Sequence, residues 1–205
     1  MSEDRSPALL IVDVQNDFCP GGALAVPDGD RVIPVLNRLA ARASALGMPV
    51  YASRDWHPPD SRHFAVNGGK WPVHCVAGTE GARLHPDLQL PPGALIVTKG
   101  TGTEDEGYSV FEGSIAGRGG LLADLRARGI DELVIGGLAT DYCVRVAALE
   151  AKRHGLGATV VSDAIGAVDV SPGDGARALD EMKAVGVDIR TADKALVDEE
   201  PGRPG

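Results

Sequence analysis

The sequence predicts a single-domain α/β protein built on an open, mainly parallel sheet of six strands with helices on both faces. Three observations lead there. Short apolar runs alternate with segments of helical periodicity, the apolar runs lack strict in-and-out alternation, and the helical segments stop at glycines. Alternating strands and helices imply parallel crossovers, and unbroken Val, Ile and Leu runs suit strands covered on both sides. A chain of 205 residues can bury one sizeable core of this kind and leaves little room for a second domain.

The first strand is "ALLIVDV", followed by a helix in "RVIPVLNRLAARASALG" and a second strand in "MPVYASRD". A long loop punctuated by Trp and Pro leads to the third strand, "ALIVTKG". Beyond a Gly-rich loop lie the helix "GGLLADLRARG" and the strand "DELVIGGL". Val144, Ala147, Ala148 and Ala151 then recur at helical spacing, so the chain turns from strand to helix around Cys143. The strand "ATVVSDAIGA", the helix "SPGDGARALDEMKAVG" and a short strand near "VDIRTA" complete the order. Gly47, Gly129, Gly155 and Gly186 stand where C-capping glycines end helices. Residues 1–196 are expected to form the domain. Residues 197–205, "VDEEPGRPG", have the Pro, Gly and acidic content of a flexible tail.

A formal charge of −9 argues against a nucleic-acid partner, which would require a basic face. No apolar run approaches the roughly 18 residues that would span a bilayer, and the N-terminus lacks a signal-like pattern. The cysteines, Cys19, Cys75 and Cys143, are odd in number and contain no close pair, which suits a reducing, cytoplasmic compartment. Monomer and homo-oligomer are both compatible with the sequence.

Ligands of open α/β sheets bind beyond the C-terminal ends of the strands. Asp13, Asp55 and Lys99 close three strands, and Cys143 follows a fourth after a turn. Each has a plain alternative, since strand-end Asp residues often cap turns and strand-end Lys residues are usually solvated. A lone buried cysteine likewise usually acts as a small hydrophobe. Together, however, the four make a nucleophile with its support. The first turn of a helix favours a thiolate, Asp13 can accept the thiol proton, and Lys99 can balance the charge between them. A Cys–His pair is not available, because the residue beside the cysteine is Tyr142 and His154 lies at the far end of the helix, roughly 16 Å away. His154 reads as a favourable charge at a helix C-terminus, and His85 as a surface residue without a partner.

The long loop holds His57, His63 and His74, three of the five histidines, close to Asp55. Carboxylate plus imidazole is a ligand set for zinc, iron or manganese. Any one of these histidines would more simply be solvated or capping; as a group they point to a metal. Aromatic residues make up only 4% of the chain, yet Phe18 and Trp71 fall beside strand ends, where they could sandwich a flat ring.

Several motifs in order resemble the nicotinamidases of the isochorismatase-like cysteine hydrolases: "IVDVQNDFCPGGALAVPDGD", "RDWHPPDSRHF", "WPVHCVAGTEGARLHP", "TKGT", "YSVFEG" and "GLATDYCVRVAALEA". The resemblance runs over nearly the whole chain. It implies the isochorismatase-like hydrolase fold and hydrolysis of nicotinamide to nicotinate and ammonia in NAD salvage, with pyrazinamide also accepted. It places catalysis on Asp13, Lys99 and Cys143, one divalent metal on Asp55, His57, His63 and His74, and substrate contacts on Phe18, Trp71 and Tyr108. It also implies an oxyanion hole of the Ala139 and Cys143 N–H groups, with a cis peptide between Leu138 and Ala139. The metal's identity and whether His63 completes its coordination do not follow from sequence. The acidic "TGTEDEG" between Lys99 and Tyr108 has no secure match.

Three rival readings remain. A hydrolase of another small amide, such as an N-carbamoyl compound, has little use for a site that coordinates a ring nitrogen. A non-haem iron oxygenase built on the Asp and two His leaves Lys99 and Cys143 unexplained. A catalytically silent relative is at odds with an intact Asp13, Lys99 and Cys143.

Overall fold

A computed structural model describes residues 6–196; the segment 197–205, expected to be a tail, lies outside the described residues. Eight strands form one sheet: β1 (Pro7–Val12), β2 (Val50–Asp55), β3 (Leu95–Lys99), β4 (Ser114–Ile115), β5 (Gly119–Gly120), β6 (Glu132–Leu138), β7 (Gly157–Gly166) and β8 (Asp188–Arg190). Their order is β5-β4-β3-β2-β1-β6-β7-β8. The six strands expected from sequence are the parallel ones, β3, β2, β1, β6, β7 and β8. The other two, β4 and β5, are two-residue antiparallel additions at one edge, too short to carry a periodic pattern.

The helices are α1 (Val32–Ala45), α2 (Leu121–Ala127), α3 (Arg145–Arg153), α4 (Asp174–Ala184) and α5 (Ala192–Ala195). Alternation along β1 divides the core between the two faces. Ala8, Leu10 and Val12 pack with residues of α2, α3 and α4, such as Leu125, Ala148 and Met182. Leu9 and Ile11 pack on the other face with Ile33, Leu36 and Leu39 of α1. Both sides of the strand are therefore apolar, as expected of a strand buried on both faces. Burial of each large aliphatic side chain contributes roughly 1.5–3 kcal/mol. The expected C-cap glycines all adopt positive φ, at 71° for Gly47, 68° for Gly129, 80° for Gly155 and 80° for Gly186.

The sheet order reverses at β1. Successive strands run outward through β2 and β3 on one side, and the chain then returns to place β6 on the other. The crevice above β1 and β6 is thus the topological switch point where open α/β sheets bind ligands. Gly137 makes the close approach of these two strands possible. It has φ 122°, and a Cβ there would lie 2.1 Å from the carbonyl oxygen of Val12.

Candidate active site

Three strand ends meet at this crevice. Asp55 and Lys99 are register partners on β2 and β3, so their side chains emerge side by side. Asp13 follows β1 with φ 49°, a left-handed conformation that few side chains tolerate. Cys143 lies in the π-helical turn Thr140–Val144 that links β6 to α3. Such turns recur at functional sites. The cis peptide between Leu138 and Ala139 is present. The N–H groups flanking Cys143, those of Tyr142 and Val144, both donate to the carbonyl of Ala139 at 3.1 Å.

Lys99 is the hub of the cluster. Its Nζ lies 2.7 Å from Asp13 Oδ2, 2.5 Å from Asp55 Oδ1 and 3.6 Å from Cys143 Sγ, and it also donates to the carbonyl of Gly107. All four side chains are buried. Asp13 Oδ1 accepts a hydrogen bond from Ser53 Oγ at 2.7 Å. Its Oδ2 meets Lys99 through an ionic contact without an aligned hydrogen bond, so that oxygen can still receive a proton. The ligand atoms of Asp13, Asp55 and Cys143 lie within 4.8 Å of one another, which puts the thiol within reach of Asp13.

The electrostatics separate the two carboxyls. Burial pushes Asp13 up, the Lys99 ammonium pulls it back, and neighbouring Asp55 pushes it up again, leaving it raised. Burial would also raise Asp55, but Lys99 and His57 outweigh it and hold the carboxyl at about 2. Asp55 is the fixed anion, and Asp13 is the group closer to proton exchange. The helix-start argument for a thiolate at Cys143 does not hold in the resting site. Burial pushes the thiol well up and Lys99 only partly opposes it, so the sulfur keeps its proton until Asp13 takes it.

The histidines gather beside this cluster. Each of His57, His63 and His74 offers a ring nitrogen, and these nitrogens lie within 4.8 Å of one another. His57 stacks on His63 with ring centroids 5.0 Å apart, and His74 meets His57 edge-on at 5.2 Å. Nδ1 of His74 lies 2.8 Å from the carbonyl of Pro72, to which it can only donate, so its Nε2 keeps a free lone pair. Both nitrogens of fully buried His57 lack a hydrogen-bond partner in the protein. Burial, reinforced by the other two histidines, pushes His63 down to about 4, so it is neutral near pH 7. Three clustered imidazoles, two buried and His63 half-buried at the cleft, fit a divalent metal. Asp55 Oδ2 lies 3.8 Å from His57 Nε2, which links the histidine group to Lys99. The set Asp13, Asp55 and Cys143 is equally compact, but the Lys99 ammonium already supplies its cation.

A cleft with about 390 Å³ of free space, part of it open to solvent, leads to Cys143. Phe18, Trp71 and Tyr108 line it with His63, His74 and Asp55, so the expected ring contacts and metal ligands converge. The cleft also contains Tyr142, Leu24, Leu138, Ala139 and Val168. His154 caps α3, as its spacing implies, and touches the Phe111 ring at 4.8 Å, away from the site. His85 does have a partner: its Nδ1 accepts from the N–H of Asp87 at 3.2 Å, a local turn contact invisible in composition.

Several contributors lie outside the residues that the sequence singles out. Gln15 binds the backbone of Asp55 on both sides, accepting its N–H at 2.7 Å and donating to its carbonyl at 2.8 Å. Asp17 accepts the Cys75 N–H at 2.7 Å and so ties the Phe18 segment to that of His74. Asp141 accepts the N–H groups of Val168 and Asp169 at 3.0 and 2.8 Å. Ser53 could have been found, since it lies two residues before Asp55 and therefore on the same strand face, and Gln15, Asp17 and Asp141 fall within the quoted motifs.

A family model described as the isochorismatase domain matches residues 7–194. The chain is 42% identical to the nicotinamidase of Escherichia coli (strain K12) over 200 residues, 90% of this chain and 94% of that protein. It is 40% identical to the nicotinamidase/pyrazinamidase of Mycobacterium tuberculosis (strain ATCC 25618 / H37Rv) over 185 residues, 89% of this chain and 97% of that one. Among solved structures, the zinc complex of the pyrazinamidase of Pyrococcus horikoshii superimposes with a TM-score of 0.84 at 41% identity. That match covers 91% of this chain and 99% of the other.

Proposed function

The chain belongs to the isochorismatase domain family, and on that premise we propose that it is an amidohydrolase that converts nicotinamide to nicotinate and ammonia. Pyrazinamide is a second substrate, giving pyrazinoate and ammonia, and the reaction serves NAD salvage in the cytoplasm. The position of Lys99 carries this reading: it contacts Asp13 and Asp55 and lies 3.6 Å from the sulfur of Cys143, which lines an aromatic cleft.

The flat ring enters between Phe18 and Trp71, with Tyr108 beside them. His57, His63, His74 and Asp55 would hold a divalent metal, and when bound it supplies a Lewis-acid contact that fixes the ring nitrogen. Asp13 takes the thiol proton as Cys143 Sγ attacks the carboxamide carbon. The N–H groups of Ala139 and Cys143 stabilise the resulting oxyanion. Asp13 then gives its proton to the nitrogen, the C–N bond breaks, and ammonia leaves a thioester. A water molecule attacks that thioester while Asp13 accepts its proton, and the proton returns to the sulfur as nicotinate departs. Lys99 keeps the charge balanced throughout and holds Asp13 and the thiol in register.

The test is ammonia release from nicotinamide by metal-loaded, reduced protein, run beside Cys143→Ala. Turnover by the wild type that vanishes in the variant is the expected result. No release from well-folded wild-type protein would discard nicotinamide as the substrate.

A further inference from the structure

Lys70, the exposed residue just before Trp71, has no role in the mechanism above. Its ammonium lies 4.9 Å from the ring centroid of Trp71, 5.3 Å from that of Tyr142 and 5.7 Å from that of Tyr108. These rings form one cluster. Trp71 Nε1 donates to the Tyr108 hydroxyl at 2.7 Å, Tyr108 stacks on Tyr142 at 5.8 Å, and Trp71 meets Tyr142 edge-on at 5.0 Å. All three line the cleft that leads to Cys143. Three aromatic faces therefore hold the ammonium against the cleft wall.

Among the described residues Lys70 has no ion pair or hydrogen bond, so its charge is not neutralised locally. The other charges near these rings behave differently. Arg145, which lies with Tyr142 along a neighbouring groove, is paired with Glu181 at 2.7 Å. Glu106 of the acidic segment is among the influences that raise the Tyr108 hydroxyl, and among the described residues it makes no ion pair with Lys70.

Turnover changes the charge of what occupies the cleft, since a neutral carboxamide enters and a carboxylate leaves. An unpaired cation beside low-dielectric aromatic walls discriminates between the two. We propose that Lys70 is a specificity-determining residue that makes the cleft favour ring carboxylates over isosteric neutral amides, and so sets how tightly the product is retained. The inference rests on the nicotinamidase reading of the cleft.

Nicotinate and nicotinamide differ in charge and hardly in shape, which makes them the probes. Nicotinate affinity is measured by tryptophan fluorescence and by product inhibition, and nicotinamide KM by ammonia release. Both are taken at low and high salt for the wild type, Lys70→Met and Lys70→Glu. Nicotinate affinity should fall roughly two- to fivefold in Lys70→Met and about twice as far on a logarithmic scale in Lys70→Glu. Nicotinamide KM should stay within about twofold, and the nicotinate effect should shrink as salt rises. A packing role for the lysine stem would instead shift both ligands together, independently of salt. That result, or unchanged nicotinate affinity in both variants, would overturn the proposal while leaving the nicotinamidase reading intact. Wild-type protein that neither binds nor hydrolyses nicotinamide would overturn that reading and this inference with it.

Discussion

Asp55 and Lys99 face each other in register on adjacent parallel strands, and their side chains close to 2.5 Å. This pair joins the two halves of the site. Lys99 reaches on to Asp13 and Cys143, while the second oxygen of Asp55 faces His57 at 3.8 Å. Main-chain register, which a single side chain cannot easily disturb, therefore fixes the spacing of Asp55 and Lys99, the pair through which the thiol and the histidine group are connected.

Lys99→Met keeps much of the buried volume and removes the charge. Asp13 and Asp55 are then left as buried carboxylates without their cation, a costly arrangement. Steady-state kinetics should show kcat reduced by about 10²- to 10⁴-fold, the range expected for losing a proton-transfer arrangement. Thermal melts should show a destabilised but folded protein. Activity within about twofold of wild type would contradict the role given to Lys99.

Ser53→Ala removes the hydroxyl that binds Asp13 Oδ1 at 2.7 Å. An unpaired buried acceptor costs about 1–3 kcal/mol, measurable by denaturant titration. Because Ser53 orients Asp13 and does not touch substrate, kcat should fall roughly tenfold with KM little changed. Ser53→Thr, which keeps the hydroxyl, should restore most of the rate. Equal kinetics in the alanine and threonine variants would remove Ser53 from the account.

Chelation should strip a divalent metal from the histidine group, lower the melting temperature by loss of a native-state ligand, and depress turnover of nicotinamide. Readdition should restore both, and elemental analysis should show His57→Ala bound to substoichiometric metal. Apoprotein that turns over at the full rate would end the metal's part in holding the ring.

Stability should also depend on pH through Asp124, remote from the site. Burial would raise its carboxyl, but the Tyr51 hydroxyl at 2.7 Å, Arg118 at 3.2 Å and Arg128 at 2.8 Å together hold it below the usual value. A carboxyl depressed in the folded state stabilises fully above its unfolded pKa of about 4, and this stabilisation is lost as pH falls through the folded value. Asp124→Asn should therefore melt below the wild type at neutral pH, with the gap narrowing in acid. A gap that is constant from pH 7 to pH 3 would contradict the assignment.

Much of this was legible from residue pattern. Unalternated runs such as "ALLIVDV" marked the parallel strands, because burial on both faces leaves that signature, and positive φ at Gly47, Gly129, Gly155 and Gly186 matched their placement at helix ends. Asp13, Asp55 and Lys99 are polar residues at strand ends and Cys143 follows a fourth strand, positions that an open sheet presents to one crevice. What stayed hidden depends on three-dimensional proximity. Gln15 is an ordinary residue type whose role arises only when the chain after β1 comes beside Asp55, and Ser53, although on the same strand face as Asp55, meets Asp13 only when β1 and β2 pair. The strands β4 and β5 are too short for any period. Burial pushes the Cys143 thiol up against the pull of Lys99, opposite in direction to the helix-start effect, and that burial is a tertiary property.

The most direct measurement is rapid-quench mass spectrometry of metal-loaded protein mixed with excess nicotinamide, followed by peptide mapping. The account predicts a transient nicotinoyl thioester on the peptide carrying Cys143, appearing with ammonia and decaying to nicotinate. Under conditions where acylation outpaces thioester hydrolysis, ammonia and nicotinate formed at equal rates with no covalent adduct at any time would contradict it, and would point to direct attack by water.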